Sequence, residues 1–142
     1  ITGFLPYLPG FVTAKGYTGD RLVCEHWLVT PGPAARLTFD AHADLPAEKG
    51  YEGMLTVRVQ DEEGNSILRA NRPVSFAVEG PAVIVAVDNG DLMETTPYSS
   101  HTLPLWHGQA SVVIRLTGEA GDIRISACAE GLIPAALILN AK

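Results

Sequence analysis

The sequence predicts an all-β protein, an immunoglobulin-like antiparallel β-sandwich preceded by a β-hairpin. Three observations support this fold class. Apolar and polar residues alternate in short runs, which is the period of strands that bury one face. Clusters of Gly, Pro, Asn and Asp separate these runs at roughly the 8–12-residue spacing that is typical of sandwiches. No window of about a dozen residues keeps the period of a helix.

The chain opens with a predicted hairpin. Residues 11–17 and 21–29 flank Thr18-Gly19-Asp20, a turn signal with glycine at its centre. Residues 30–33 then combine two prolines with a glycine, which indicates a domain boundary. Because a lone two-stranded hairpin is marginally stable in water, we interpret residues 1–30 as the terminal hairpin remnant of a preceding immunoglobulin-like domain. Residues 31–142 then form one complete sandwich domain.

A central stretch, residues 73–91, organises the predicted sandwich. Two β-branched strands flank Gly80-Pro81, where proline lacks a ladder donor and glycine accepts the backbone angles of a sharp turn. The stretch ends at residues 88–91, a cluster of strong turn formers. Phe76 and Val85 are predicted to be buried core residues that face each other's sheet or strand pair. The full set predicted to face the core here is Val74, Phe76, Val78, Val83, Val85 and Val87.

The same alternation predicts the remaining strands of the sandwich. Its inward-facing residues are apolar and its loops carry the Gly, Pro and acidic residues. The predicted strands are residues 36–40, 54–60, 110–117, 122–129 and 135–140, and the predicted loops include residues 41–50, 61–65 and 92–101.

Composition indicates a globular domain and limits its partners. Of 142 residues, 46% are hydrophobic and 18% are charged, and the net charge of −6 argues against a nucleic-acid-binding protein. No apolar run reaches the roughly 20 residues of a membrane helix. The first ten residues lack the basic region of a signal peptide, and the missing initiator Met indicates a processed or excised chain. Cys24 and Cys128 are far apart, so free thiols are favoured over a disulfide. The compartment, whether periplasmic, extracellular or cytoplasmic, stays open.

Two groups of residues raise a metal hypothesis. Asp88, Asn89 and Asp91 supply oxygens of the kind calcium prefers, but without a full acidic loop a hydrogen-bonded turn is favoured. The histidines form no i, i+4 helical pair and no zinc-type spacing with cysteine, so surface positions are favoured. These histidines are His26, His42, His101 and His107. We therefore predict no cofactor and no metal.

Four aromatic residues raise a different hypothesis, a platform on which sugars stack. The candidates are Trp27, Tyr98 and Trp106, with Tyr51 beside them. Trp106 precedes a His-Gly turn, where packing against the end of the sandwich is the usual role. Packing is the favoured interpretation, and carbohydrate binding stays open.

Several motifs give the chain a family resemblance. A D-x-x-G-N turn is followed by V-x-F-x-V-x-G, V-x-V-D-N-G-D, an aromatic-x-G-x-A step and G-x-I-x-[IL]-x-A. In this order they resemble the immunoglobulin-like C-terminal domain of bacterial glycoside hydrolase family 2 enzymes, the β-galactosidase-like members. Residues 6–37 resemble the last hairpin of the preceding domain and its T-x-G-x-P linker. The matching positions are Val57–Val59, Asp61, Gly64–Asn65, Val74, Phe76, Val78, Gly80, Val85, Val87–Asp91, Trp106, Gly108, Ala110, Gly121 and Ile123–Ala127.

The resemblance implies a non-catalytic accessory domain beside the catalytic barrel of a retaining β-galactosidase-like hydrolase. Such a barrel carries a pair of glutamates about 5–5.5 Å apart, and this chain offers no comparable pair. We therefore predict no catalytic residue here. The implied partners are the remaining domains of the parent enzyme, with self-association through residues 1–30 as a further expectation.

The alternative is a carbohydrate-binding or adhesion-type module of the invasin or intimin kind, which shares the fold. Exposed aromatics on one sheet face would favour that alternative, and a polar exterior with an apolar patch at one end would favour docking.

Overall fold

A computed structural model describes residues 3–4, 6–40, 45–46 and 48–142. Within that part of the chain, strands and turns make up all of the regular structure and no helix is present. The strands are β1 Phe11–Thr18, β2 Arg21–Val29, β3 Arg36–Phe39, β4 Glu52–Gln60, β5 Pro73–Glu79, β6 Ala82–Asp88, β7 Thr102–Pro104, β8 Gln109–Leu116, β9 Gly121–Ala129 and β10 Ala135–Ala141.

Eight of these strands form the predicted sandwich. One sheet has the order β10-β9-β5-β7 and the other has the order β3-β4-β8-β6, and all of the strand pairs are antiparallel. The fold is therefore an immunoglobulin-like antiparallel β-sandwich, which confirms the predicted fold class. Strands β1 and β2 form a separate two-stranded sheet.

The core lies between the two sheets and follows the alternation of the sequence. Apolar side chains on β4, β8 and β9 are buried at every second position. The rings of Phe39 and Phe76 contact each other across the core, with their centroids 6.5 Å apart. The buried set on these strands is Leu55, Val57, Val59, Ala110, Val112, Ile114, Leu116, Ile123, Ile125 and Ala127.

The central stretch is a crossover between sheets. Strand β5 pairs with β7 and β9, whereas β6 pairs with β8 in the opposite sheet. Gly80 makes this sharp turn with φ +98°, and a Cβ there would lie 2.2 Å from the carbonyl oxygen of Asp122. Only glycine fits both the left-handed backbone and this close approach. The predicted reversal at Gly80-Pro81 is present, and it joins the two layers of the sandwich.

A β-bulge overturns part of the predicted inward face of β6. The pairing of β6 with β8 shifts register between Ile84 and Ala86, which leaves Val85 without a direct partner. Val83 is 49% exposed and Val85 is only half-buried, whereas Ala82 and Val87 belong to the core. The prediction of Val83 and Val85 as core residues is wrong, because one inserted residue reverses which side chains point inward. The prediction for Phe76 is confirmed, since it is 3% exposed.

Strand β7 is missing from the sequence-based prediction. It is three residues long and pairs with β5 at the edge of its sheet. A run this short, ending in Pro104, cannot display the alternation on which the other strands were recognised.

The hairpin presents apolar side chains on both faces. Phe11 pairs with Val29 and Thr13 with Trp27 on one face, and Val12 pairs with Leu28 on the other. Nearly every residue of β1 and all of β2 are exposed. Phe11, Trp27 and Leu28 are 77%, 65% and 66% exposed. In the described part of the chain, nothing covers either face of the hairpin.

Candidate functional site

The linker between hairpin and sandwich is hydrogen-bonded to a buried carboxylate. The backbone N–H of Gly32 donates to Oδ2 of Asp61 at 2.8 Å. Asp61 is 1% exposed, and it also accepts hydrogen bonds from the backbone N–H of Asn65 at 2.7 Å and from Nδ2 of Asn65 at 2.9 Å. The D-x-x-G-N turn therefore closes on itself and binds the linker with the same side chain.

Arg36 adds a second connection at this point. Its Nε and Nη2 donate to the carbonyl oxygen of Asp61 at 3.3 and 3.2 Å, and Nη2 also donates to the carbonyl oxygen of Glu62. Since Arg36 begins β3, the first strand of the sandwich and the turn after β4 are tied together. The linker, β3 and residues 61–65 consequently form one hydrogen-bonded unit.

The hydrogen bonds also set the ionisation of Asp61. Burial opposes the charged form, but the hydrogen bonds that the carboxylate accepts outweigh burial, so the pKa of Asp61 lies below its ordinary value of 3.8. The donors are the Asn65 side chain and the backbone N–H groups of Gly32, Asn65 and Glu63. Asp61 therefore holds the linker as a carboxylate at neutral pH.

The weak calcium candidates lie in a corner after β6, at the same end of the sandwich. Asn89 is 4% exposed, and its Nδ2 donates to the carbonyl oxygen of Pro104 at 2.9 Å. Oδ1 of Asn89 accepts from the N–H of Asp91 at 2.9 Å, and Oδ1 of Asp88 accepts from the N–H of Gly90 at 3.3 Å. The side-chain oxygens are used on backbone N–H groups, as in a structural corner.

A β-turn continues this corner. The N–H of Glu94 donates to the carbonyl oxygen of Asp91 at 3.0 Å, so Leu92 and Met93 occupy the two central positions of the turn. Oε1 of Glu94 accepts hydrogen bonds from the N–H of Thr96, the hydroxyl of Thr96 and the N–H of Thr95, each at 2.8 Å. These bonds, led by the Thr96 N–H, hold the pKa of Glu94 below its ordinary value of 4.5. We call residues 88–98 the corner loop.

Trp106 and His107 belong to a tight turn that leads into β8. His107 and Gly108 have φ values of 49° and 71°, and Trp106 and Gln109 exchange both of their backbone hydrogen bonds, at 2.9 and 3.0 Å. This pattern is that of a two-residue turn with both central residues left-handed. A Cβ on Gly108 would lie 1.8 Å from the carbonyl oxygen of Ile67, so glycine is required where this turn meets residues 66–72.

The three sugar-stacking candidates are not assembled into one platform. Trp27 lies on the hairpin, Tyr98 is the last residue of the corner loop, and Trp106 lies in the turn before β8. Their side chains are 65%, 70% and 41% exposed, respectively. Among the described residues, ring contacts join Phe39 to Phe76 and the Trp106 ring to His107, at 4.7 Å in an edge-on arrangement. Trp106 is thus more exposed than end-packing alone would leave it.

Other candidate groups do not come together either. Among the residues that the structure describes, no three His, Cys, Asp or Glu side chains are placed to hold a metal ion, and His42 lies outside those residues. Cys24 and Cys128 are both free and exposed, one on the hairpin and the other on β9. None of the glutamates is buried, so none lies in the shielded setting that raises the pKa of a catalytic acid.

The outer sheet faces are mostly polar, with Met54, Val83 and Ile138 as their large exposed apolar residues among those described. Outward side chains pair across strands as Thr56–Ser111 at 2.9 Å, Arg58–Asp40 at 3.0 Å and Arg115–Glu52 at 2.6 Å. Neither outer face carries an aromatic residue, because the only aromatic residues in β3–β10 are Phe39 and Phe76, which both point inward.

Large exposed apolar side chains are concentrated instead at one end of the sandwich. We call this the linker end, because residues 30–33 enter the sandwich there, and it contains residues 61–72, the corner loop, residues 105–109 and residues 130–134. Its exposed members are Leu68, Leu92, Met93, Tyr98, Trp106 and Ile133. The sequence analysis missed the buried role of Asp61 and the exposure of Leu92 and Met93. The sequence did contain a signal for the exposure of Leu92 and Met93, because these two apolar residues lie among strong turn formers.

The described part of the chain includes no helix that is long and apolar enough to cross a membrane.

Comparisons with known proteins identify the family. The family model for glycoside hydrolase family 2 C-terminal domain 5 matches residues 41–138. Beta-galactosidase BoGH2A of Bacteroides ovatus is 29% identical over 135 residues, a match that covers 94% of this chain and 16% of that protein. A glycosyl hydrolase family 2 member from Bacteroides cellulosilyticus has a similar structure, with a TM-score of 0.91 and 24% identity over 97% of this chain and 18% of its own. A beta-glycosidase from Bacteroides vulgatus gives a TM-score of 0.85 and 20% identity over 96% of this chain and 18% of its own.

This chain thus spans about a sixth of the length of the proteins it matches. The structural likeness extends over nearly all of it, hairpin and sandwich alike. The match over residues 41–138 covers most of the sandwich and well over half of the chain. The chain belongs to the glycoside hydrolase family 2 C-terminal domain 5 family.

Proposed function

We propose that this chain is the C-terminal part of a longer, β-galactosidase-like family 2 glycoside hydrolase, in which its sandwich is a non-catalytic accessory domain. The sandwich docks on the rest of the enzyme and holds it in a defined arrangement. The observation that carries this proposal is the uneven surface: of the ten large apolar side chains exposed on the described part of the sandwich, six lie at the linker end. Apolar surface concentrated at one end is typical of a docking surface.

The hydrogen-bonded linker supports the same proposal. A binding module that is only tethered to its enzyme needs no fixed orientation, and a flexible linker leaves such a domain free to move. Here Asp61 binds the linker N–H of Gly32, and Arg36 binds the turn that contains Asp61. This arrangement favours a domain whose orientation relative to the preceding residues matters.

In this proposal, residues 1–30 are the last hairpin of the preceding domain. Both of its faces are apolar and exposed, as expected of strands whose sheet partners lie elsewhere in the longer protein. The hairpin and sandwich then belong to two consecutive domains, and the boundary lies at residues 30–33. When that domain is absent, the exposed apolar faces of the hairpin favour association, and we expect the partner to be the same hairpin of a second molecule.

The carbohydrate-binding or adhesion-type alternative has less support. Sugar-binding surfaces use contiguous exposed aromatic rings, and Trp27, Tyr98 and Trp106 make no ring contact with one another. Both outer sheet faces lack aromatic residues altogether.

Removing residues 31–142 from the full-length enzyme tests the proposal. We expect the remaining enzyme to keep its hydrolytic activity per folded molecule and to lose thermal stability, because a docking surface is left uncovered. A full loss of activity in a molecule of unchanged stability would place a catalytic group in this domain and overturn the proposal. Loss of binding to an insoluble polysaccharide, with stability unchanged, would favour the carbohydrate-binding alternative.

A further inference from the structure

The corner loop presents two apolar side chains entirely to solvent. Leu92 is 99% exposed and Met93 is 84% exposed, the highest values for large apolar residues of the sandwich. They occupy the central positions of the turn closed by Asp91 and Glu94, positions where Asn, Asp, Gly and Ser are usual. Neither side chain supports the fold of this chain, because almost none of its surface contacts the sandwich.

The backbone beneath these side chains is nevertheless held by many hydrogen bonds. Asn89 binds the carbonyl oxygen of Pro104, Asp91 accepts from the N–H of Met93 at 3.0 Å, and Glu94 accepts from three donors on the two residues that follow it. The N–H of Val87 also donates to the carbonyl oxygen of Tyr98 at 2.8 Å, which closes the loop at its base. A preformed tip loses little conformational entropy when it binds a partner.

The chemistry of the loop defines the surface that it fits. Residues 88–98 include three carboxylates, on Asp88, Asp91 and Glu94, and no Lys or Arg. Two apolar side chains thus project from an acidic rim. The complementary site is an apolar pocket wide enough for a Leu and a Met, bordered by Lys or Arg side chains.

The position of the loop indicates which molecule carries that pocket. Strand β6 ends at Asp88 and β4 ends at Gln60, and both strands pair with β8, so the loop and Asp61 lie at the same end of one sheet. Two strand spacings of about 4.8 Å separate them, roughly 10 Å in all. Because Asp61 holds the linker, the polypeptide that precedes the sandwich is joined to it at the same end as Leu92 and Met93.

We propose that Leu92 and Met93 insert into an apolar, basic-rimmed pocket on a preceding domain of the same polypeptide. The inference rests on the proposed function, since it requires that this sandwich belong to a longer enzyme. It adds the residues of the docking contact and the chemistry of its partner. Intramolecular docking needs only a small contact, because the linker keeps the effective concentration of the pocket high.

Photo-crosslinking in the full-length enzyme tests this directly. A benzoylphenylalanine replaces Leu92 in one sample and Ile138 in a matched control, since Ile138 is 61% exposed on the outer face of the other sheet. We expect Leu92 to give an intramolecular cross-link to a peptide that lies N-terminal to the hairpin, and we expect the control to give none. A cross-link between two chains would assign the pocket to a second copy, and no cross-link would mean that the tip stays in solvent. Either result overturns the inference.

A double variant gives a second readout. Leu92→Ser with Met93→Ser in the full-length enzyme should make proteolysis within residues 30–33 about ten- to a hundredfold faster, as expected for losing one buried apolar contact. Ile138→Ser should leave that rate unchanged, and the isolated 142-residue chain should be cleaved equally fast with and without the double change.

Hydrolysis of a nitrophenyl β-galactoside by the full-length enzyme reports separately on the proposed function. Activity without an intramolecular cross-link refutes only the docking contact, and a cross-link without activity refutes only the enzyme assignment.

Discussion

The backbone N–H of Gly32 donates a 2.8 Å hydrogen bond to Oδ2 of Asp61, a carboxylate 29 residues later in the chain. This bond joins the linker to the turn after β4, so the linker is held at Gly32 by one ionised side chain. A neutral amide at position 61 would keep the shape of the side chain but would offer one acceptor oxygen where the carboxylate offers two. The relationship leads to the first prediction.

Asp61→Asn should lower stability and should also flatten its dependence on pH. The pKa of Asp61 is depressed in the folded state, so its stabilisation is present above the unfolded-state pKa near 3.8 and is lost as the pH falls through the folded-state value. The loss between about pH 6 and about pH 3 should therefore be larger in the natural chain than in the variant. Urea titrations at both pH values measure this, and Glu62→Gln serves as the control because its side chain is exposed. Equal pH dependence in the natural chain and the Asp61 variant would contradict the assigned role.

Gly108→Ala and Gly90→Ala form a matched pair that separates a steric clash from backbone strain. Both glycines are left-handed, with φ of 71° and 81°, so alanine should cost about 1–2 kcal/mol at each. Only at Gly108 would the new Cβ meet another group, the carbonyl oxygen of Ile67 at 1.8 Å. Gly108→Ala should therefore cost at least about 1–3 kcal/mol more, or prevent folding. Similar urea midpoints for the two variants would show that residues 66–72 move aside without cost.

Phe76→Ala should destabilise the sandwich by about 3–5 kcal/mol, the usual cost of removing a buried aromatic ring. Phe76 is 3% exposed and contacts the ring of Phe39, so the change leaves a cavity between the two sheets. Ser75→Ala is the control, since Ser75 lies next to it on the outer face. A loss below about 1 kcal/mol in urea titration would mean that the core closes around the missing ring.

The accuracy of the sequence-based prediction varies from residue to residue for physical reasons. Strands β4, β8 and β9 were predictable because each buries one face and shows it by alternation. The bulge at Val85 was not, because a run of β-branched residues looks alike in either register and pairing with β8 decides which face is inward. The exposure of Leu92 could have been inferred only from the turn formers around it, since an apolar residue by itself does not show whether its partner lies in the same domain.

The isolated chain should hydrolyse no glycoside. A retaining mechanism needs two carboxyl groups about 5–5.5 Å apart in a shielded cleft, and every glutamate of this chain is exposed or half-buried on the surface. Incubation of the purified chain with nitrophenyl glycosides, beside a boiled sample, measures this. Hydrolysis above the boiled control that survives repeated purification would require a catalytic group that the surface does not reveal.

Self-association through the hairpin is the last prediction. The hairpin exposes apolar side chains on both faces and leaves the outer edges of β1 and β2 unpaired in the described part of the chain, and such surfaces favour association. The bond between Gly32 and Asp61 fixes the linker, which disfavours folding of the hairpin back onto its own sandwich. We therefore expect the chain to form dimers or larger species at high concentration.

Light scattering on the full chain and on a shortened chain that starts at Pro33 decides the matter. Leu28→Lys should reduce the mass measured for the full chain, because Leu28 is 66% exposed in the monomer and a charge at this position would oppose burial of its face on association. Ile138→Lys is the matched control, at 61% exposure on the sandwich. If the full and shortened chains both have monomer masses at the same molar concentration, the hairpin does not mediate self-association, and its apolar faces are tolerated in water.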